Sequence, residues 1–120
     1  MERRVSGVLV GDFGAVMRLG LLEVLADARI ECVGERATQA DLLSRLEATA
    51  PDAVVVDWDD RRSEAVMASV QTRRPSVTVI ACSSDRLAMR VVPGRVDAAP
   101  YESELSTSGL VEAVRSASAR

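Results

Sequence analysis

A chain of 120 residues is long enough for one domain with a sheet and a helical cover, and an apolar share of 48% argues against disorder. A net charge of −3 provides no basic field for nucleic acid, and no apolar run approaches the roughly 18 residues of a membrane span. All 15 basic residues are Arg, and without Lys or His there is no Schiff base, Lys phosphate clamp, His base or His metal ligand.

Met1-Glu2-Arg3-Arg4 leads straight into a strand pattern with no small-residue cleavage site, so the expected location is cytoplasmic. Val5–Val10 is a short β-branched run and reads as the first strand. Ala15–Ala28 places Met17, Leu21, Val24 and Leu25 at helical spacing, predicting a helix with one buried stripe. Ile30–Val33 reads as a second strand closed by Gly34. Thr38 stands as an N-cap with Asp41 three residues on, ahead of a helix whose apolar face is Leu42, Leu43 and Leu46. Pro51 stops that helix. Ala53–Val56 is apolar on both faces, the pattern of a central parallel strand.

Ser63–Thr72 carries Ala65, Val66, Ser69 and Val70 and reads as a third helix, ending at Arg73-Arg74-Pro75. Val77–Cys82 is a fourth apolar strand. Asp85–Val92 reads as a short fourth helix before Pro93-Gly94, Arg95–Ala99 as a poor fifth strand, and Thr107–Ala117 as the last helix. Cys32 and Cys82 fall inside strand patterns and read as reduced thiols in the core. Alternation of strand and helix predicts an α/β fold, a doubly wound five-stranded parallel sheet with helices on both faces and right-handed crossovers. Residues 1–120 read as a single domain without linker or repeat.

Three strand ends carry the chemistry. Asp12 follows Val8-Leu9-Val10-Gly11, Asp57 ends Ala53-Val54-Val55-Val56, and Ser83 and Ser84 follow Val77–Cys82. Parallel sheets gather ligands at the C-terminal ends of their strands, so two acids and a hydroxyl are expected to meet on one edge. No dinucleotide or P-loop spacing is present around Gly11 and Gly14, and with no His there is neither a catalytic triad nor a zinc set. The chain is therefore not expected to be an enzyme.

The order of these elements, with Asp12, Asp57 and Ser83 at successive strand ends, resembles the receiver domain of bacterial response regulators (CheY-like). Residues 8–57 carry the likeness best, and the segment Ile30-Glu31-Cys32-Val33-Gly34-Glu35-Arg36-Ala37-Thr38 is similar to the NarL/LuxR-type branch. The resemblance implies that Asp57 occupies the phosphoacceptor position served by a histidine kinase. It implies Mg²⁺ held by Asp12, Asp57 and the main-chain carbonyl of Asp59, with Ser83 sensing the phosphoryl group. Receivers of that branch usually precede a DNA-binding helix-turn-helix, and none lies within these 120 residues.

The departures from the family pattern are equally specific. Gly11 stands where the first metal-binding acid belongs. Ala99-Pro100 matches the place of the family's Lys-Pro, so Ala99 replaces the phosphate-neutralising ammonium, and Val96 replaces the aromatic switch residue. Asp59-Asp60-Arg61-Arg62 follows the phosphoacceptor position, with Trp58 beside it and Arg61, Arg62 and Arg86 as the nearest candidate cations. The first expectation is thus an atypical receiver of a transcriptional regulator, a sensing and dimerisation module that does not depend on phosphorylation. In it, Leu110, Val111 and Val114 are the packing residues of the last helix. A working Mg²⁺-dependent phospho-receiver and a flavodoxin-like domain binding a small-molecule ligand remain the alternatives.

Overall fold

The computed structural model describes residues 7–118 apart from 38 and 95–97, and among these it forms six strands and four helices. They follow in the order β1 (Gly7–Gly11), α1 (Ala15–Asp27), β2 (Glu31–Ala37), α2 (Gln39–Thr49), β3 (Ala53–Asp57), α3 (Ser63–Arg73), β4 (Thr78–Ser83), β5 (Ala88–Val92), β6 (Tyr101–Glu104) and α4 (Thr107–Ser118). One sheet holds all six strands in the order β2-β1-β3-β4-β5-β6.

The first four strands are parallel, as their apolar runs imply. Val8, Leu9 and Val10 of β1, Val54 and Val55 of β3, and Val79 and Ile80 of β4 are buried whichever way they point, because both sheet faces are covered. On one face α1 and α4 bring Leu21, Leu25, Leu110 and Val114 against Val8, Val10, Val55 and Ile80. On the other, α2 and α3 bring Leu42, Leu46, Met67 and Val70 against Leu9, Val54, Val56 and Val79. Strand β2 does not close at Gly34 but continues to Ala37, with register shifts against β1. A Cβ at Gly34 would stand 2.6 Å from Leu9 Cδ1, so glycine here serves close strand packing, not termination. The Thr38 cap lies outside the described residues.

Beyond Ser83 the architecture departs from the expected all-parallel, five-stranded sheet. Residues 85–92 do not form a fourth helix. The chain turns through Ser84–Leu87 and returns as β5, antiparallel to β4, with Ser83 opposite Ala88 and Val79 opposite Val92. A parallel return needs a crossover of about a dozen residues or more, and four residues permit only a hairpin. Met89 and Val91 are buried while Ala88, Arg90 and Val92 are half-buried, a period of two that suits a strand. The turn carries Leu87 at φ 52, a left-handed conformation adopted without glycine. The predicted strand at Arg95–Ala99 is not present either: Ala98 and Ala99 lie outside any strand, and 95–97 fall outside the described residues. The sixth strand forms instead at Tyr101–Glu104, antiparallel to β5, with all four residues exposed.

Candidate functional site

In the order β2-β1-β3, the chain leaves β1 to one side and comes back on the other, so the C-terminal ends of β1 and β3 flank the point where the strand order reverses. Crevices at such reversals are the usual ligand sites of open α/β sheets. Asp12 is the residue after β1 and is exposed, and Asp57 is the last residue of β3 and is half-buried. Gly11 is buried beside them. A Cβ there would meet the Val55 carbonyl oxygen at 3.3 Å, a tight contact that asks β3 to give by a few tenths of an ångström.

Asp57 accepts a hydrogen bond on Oδ1 from the Asp59 backbone N–H at 3.0 Å. Its carboxyl is pushed above the ordinary range, first by burial and then by the charges of Asp59, Asp60 and Asp85, with the Asp59 N–H opposing the shift. Among the described residues no cation pairs with it. The same surroundings act on Cys82, one residue from the end of β4: burial, then the Asp57 charge, raise its thiol to about 12.

Asp59 makes contacts through its side chain, separate from the main-chain carbonyl that the resemblance assigns to the metal. Its carboxylate spans the gap between β3 and β4 and gathers the turn after β4. The Ser83 hydroxyl donates to Oδ1 at 2.7 Å; the Ser84 N–H (3.1 Å), Ser84 hydroxyl (3.4 Å) and Asp85 N–H (3.3 Å) donate to Oδ2. These donors, led by the Ser83 hydroxyl, hold the Asp59 carboxyl below its ordinary range. Ser83 is fully buried, and its oxygen also accepts the Arg86 N–H at 3.0 Å. The hydroxyl expected to sense a phosphoryl group is therefore occupied on both its donor and acceptor sides.

The arginines surround this edge without entering it. The Arg86 guanidinium stacks on Trp58, 4.0 Å from the ring centroid, a cation–π contact at the mouth of the site. Trp58 also packs its side chain on the core between the sheet and α2 and α3, while its backbone N–H donates to the Cys82 carbonyl at 2.9 Å. Arg62, at the start of α3, pairs with Asp60 at 3.3 Å and feels the Asp12 charge as well. Arg61 is exposed.

Ala99 is not part of this edge. It lines a cavity of about 290 Å³ with Thr78, Pro93, Tyr101 and Ala113, and Thr78 begins β4, whereas Ser83 ends it. The residue that ends the last strand running parallel to β4 is Glu104, an acid, with β5 standing between. The expected match of Ala99 to the neutralising position is thus corrected by the antiparallel hairpin, which moves the whole segment after Ser83. Val96 lies outside the described residues. Asp85 and the Arg86–Trp58 stack were not anticipated in these roles. The available signal was the pairing of Asp59-Asp60 with Ser83-Ser84 at the ends of neighbouring apolar strands.

Among the described residues no three His, Cys, Asp or Glu side chains converge as a metal cage would require, and the Asp59 carboxylate is turned toward Ser83, Ser84 and Asp85. With Gly11 supplying no side-chain ligand, Asp12, Asp57 and the Asp59 carbonyl would leave most of the six octahedral positions of Mg²⁺ to water. No family model matches the chain, and no curated protein is similar to it at a significant level. No helix among the described residues is long and apolar enough to cross a membrane.

Proposed function

We propose that this chain is a regulatory module of the response-regulator receiver kind whose strand edge no longer works as a phosphate switch. The observation that carries this reading is the Asp59–Ser83 clamp beside Asp57. In it, the hydroxyl suited to reading a phosphoryl group is committed to a neighbouring carboxylate at 2.7 Å. The parallel β2-β1-β3-β4 portion and the acids at the ends of β1 and β3 support the receiver likeness. Loss of the switch is supported by the absence of Lys, by Gly11, and by an edge where burial first, and then Asp59, Asp60 and Asp85, raise the Asp57 carboxyl. A phosphoryl group would add charge where charge is already uncompensated.

The module acts in the cytoplasm, through a protein partner or its own dimer, as part of a transcriptional regulator whose DNA contacts are made by an output domain. Intact mass after incubation with acetyl phosphate and Mg²⁺, beside Asp57→Asn, tests the reading. The expected result is no phosphoryl adduct on either protein. An adduct on the parent alone contradicts it and restores the kinase-dependent alternative.

A further inference from the structure

Strand β6 ends the sheet: among the described residues it pairs with β5 alone, and Tyr101, Glu102, Ser103 and Glu104 are all exposed. The alternation of an antiparallel ladder tells which of its backbone groups are free. The Leu105 N–H donates to the Leu87 carbonyl at 2.9 Å, one step beyond the pairing of Glu104 with Ala88. Leu105, Ser103 and Tyr101 therefore turn their N–H and C=O groups toward β5. Those of Glu102 and Glu104 point outward, an open template for one more strand.

The two faces of this edge differ. Tyr101 and Ser103 lie opposite Val91 and Met89 and so share the face that α4 covers. Glu102 and Glu104 lie on the other face, where Glu102 meets Arg90 at 3.0 Å. On the α4 side, Tyr101 is the outermost sheet residue of the cavity of about 290 Å³, which Thr78, Val91 and Pro93 also line. Ala113 and Ala117, one turn apart on α4, bring only methyl groups to it and leave the space open. Pockets that enclose whole small molecules hold roughly 300–1,000 Å³. A cavity just below that range suits one apolar side chain.

We propose that β6 takes up an extended peptide segment of a partner protein as a further strand, one in which basic side chains alternate with apolar ones. The outward N–H and C=O groups of Glu102 and Glu104 hold its main chain. Their carboxylates face its basic residues, and one apolar side chain passes Tyr101 into the cavity. Main-chain pairing for affinity, with a pocket for alternate side chains, is a recurrent way to recognise a linear segment. Charge decides between the occupants. A second copy of β6 would set these two acids against their own kind, which opposes pairing, whereas Arg or Lys across from them favours it. Among the described residues Glu104 has no ion pair to give up.

This deepens the regulatory reading by naming the chemistry of its partner, and it rests on that reading only for its purpose. The peptide is tested with no phosphate donor present, so failure to bind leaves the mass result standing and an adduct leaves the binding standing. The test follows the backbone amides of the full chain by NMR during titration with the synthetic peptide Arg-Val-Arg-Leu-Arg. Its acidic counterpart Glu-Val-Glu-Leu-Glu and the reordered Arg-Arg-Arg-Val-Leu serve as controls. Saturable shifts at residues 101–104, Ala113 and Ala117 are expected with the first peptide alone. Glu102→Pro removes an outward N–H that β5 does not use, and Ala117→Leu fills the cavity. Each should keep the parent's circular dichroism and weaken binding at least about fivefold, while Glu102→Gln, which retains the N–H, weakens it less. No saturation with the first peptide, equal binding of the reordered one, or full affinity in Glu102→Pro would overturn the proposal. So would shifts at residues 101–104 that follow protein concentration without peptide, since they would give the edge to a second copy.

Discussion

From β1 to β4 the chain returns to each parallel strand through a helix, and the central strands are buried on both faces; from Ser83 onward it reverses in four residues and adds two antiparallel strands, β5 half in the core and β6 exposed throughout. The two regions divide the work of the molecule. The parallel region sends its strand ends to one edge, so Asp12, Asp57 and Ser83 come together there. The hairpin region takes the next strand away from that edge, so the segment that would have supplied a cation lies elsewhere, with Ala99 beside Thr78. A short turn in place of a crossover helix thus changes both the sheet and the charge balance of the site.

The sharpest way to break the comparison is at Gly94, where the hairpin region rests on the entry to β4. A Cβ would fall 2.2 Å from the Ser76 carbonyl oxygen and 2.7 Å from the Val77 carbonyl carbon, both backbone atoms that cannot swing aside. Gly94→Val should therefore cost about 3 kcal/mol or more in urea unfolding. Next come two core truncations, one in each region. Leu46→Ala beneath the parallel strands and Met89→Ala in the hairpin remove fully buried side chains, each expected to cost about 2–5 kcal/mol in the same measurement. If the hairpin were only loosely attached, Met89→Ala would cost far less than Leu46→Ala.

A smaller effect is expected where the regions are joined. Asp59→Ala leaves the Ser83 hydroxyl and the N–H groups of Ser84 and Asp85 without their acceptor, at a cost of about 1 kcal/mol. Faster hydrogen exchange confined to residues 84–86 would locate the loss. Its pH dependence has a fixed sign. The Asp59 carboxyl is held below its unfolded value, so its contribution is complete above that value and disappears as pH falls through the folded one. The gap between parent and variant should therefore close in acid.

Asp57 carries the opposite sign and the smallest effect. Its folded carboxyl titrates above the unfolded value, so stability declines as pH rises through that interval. Asp57→Asn should raise the urea midpoint slightly at neutral pH and leave it unchanged where both forms are protonated. A lower midpoint at neutral pH would mean that Asp57 is paired with a cation in solution.

Much of the parallel region is legible in the sequence because continuous apolar runs have few alternatives. Val5–Val10 falls in β1 over its described residues, Ala53–Val56 lies in β3 and Val77–Cys82 begins within a residue of β4, while Ala15–Ala28, Ser63–Thr72 and Thr107–Ala117 closely match α1, α3 and α4. The same runs locate Asp12, Asp57 and Ser83 at one edge. The hairpin escaped for physical reasons. Its turn has no glycine to mark the left-handed Leu87, and Met89-Arg90-Val91 is too short for its period to outweigh a helical reading. Tyr101-Glu102-Ser103-Glu104 forms a strand on pairing alone, with Glu102 answered by Arg90 at 3.0 Å. The Asp59 clamp escaped because it joins residues 24 apart in sequence, and only the closeness of the β3 and β4 ends creates it.

The proposed loss of a phosphate switch is tested most directly by following the backbone amides by NMR while Mg²⁺ and beryllofluoride are added to the full chain. With Ser83 and the turn after it held by Asp59, the amides of Asp57, Asp59 and residues 83–86 are expected to keep their positions. Saturable shifts at those amides, absent from Asp57→Asn, would show a working phosphoryl site and contradict the reading.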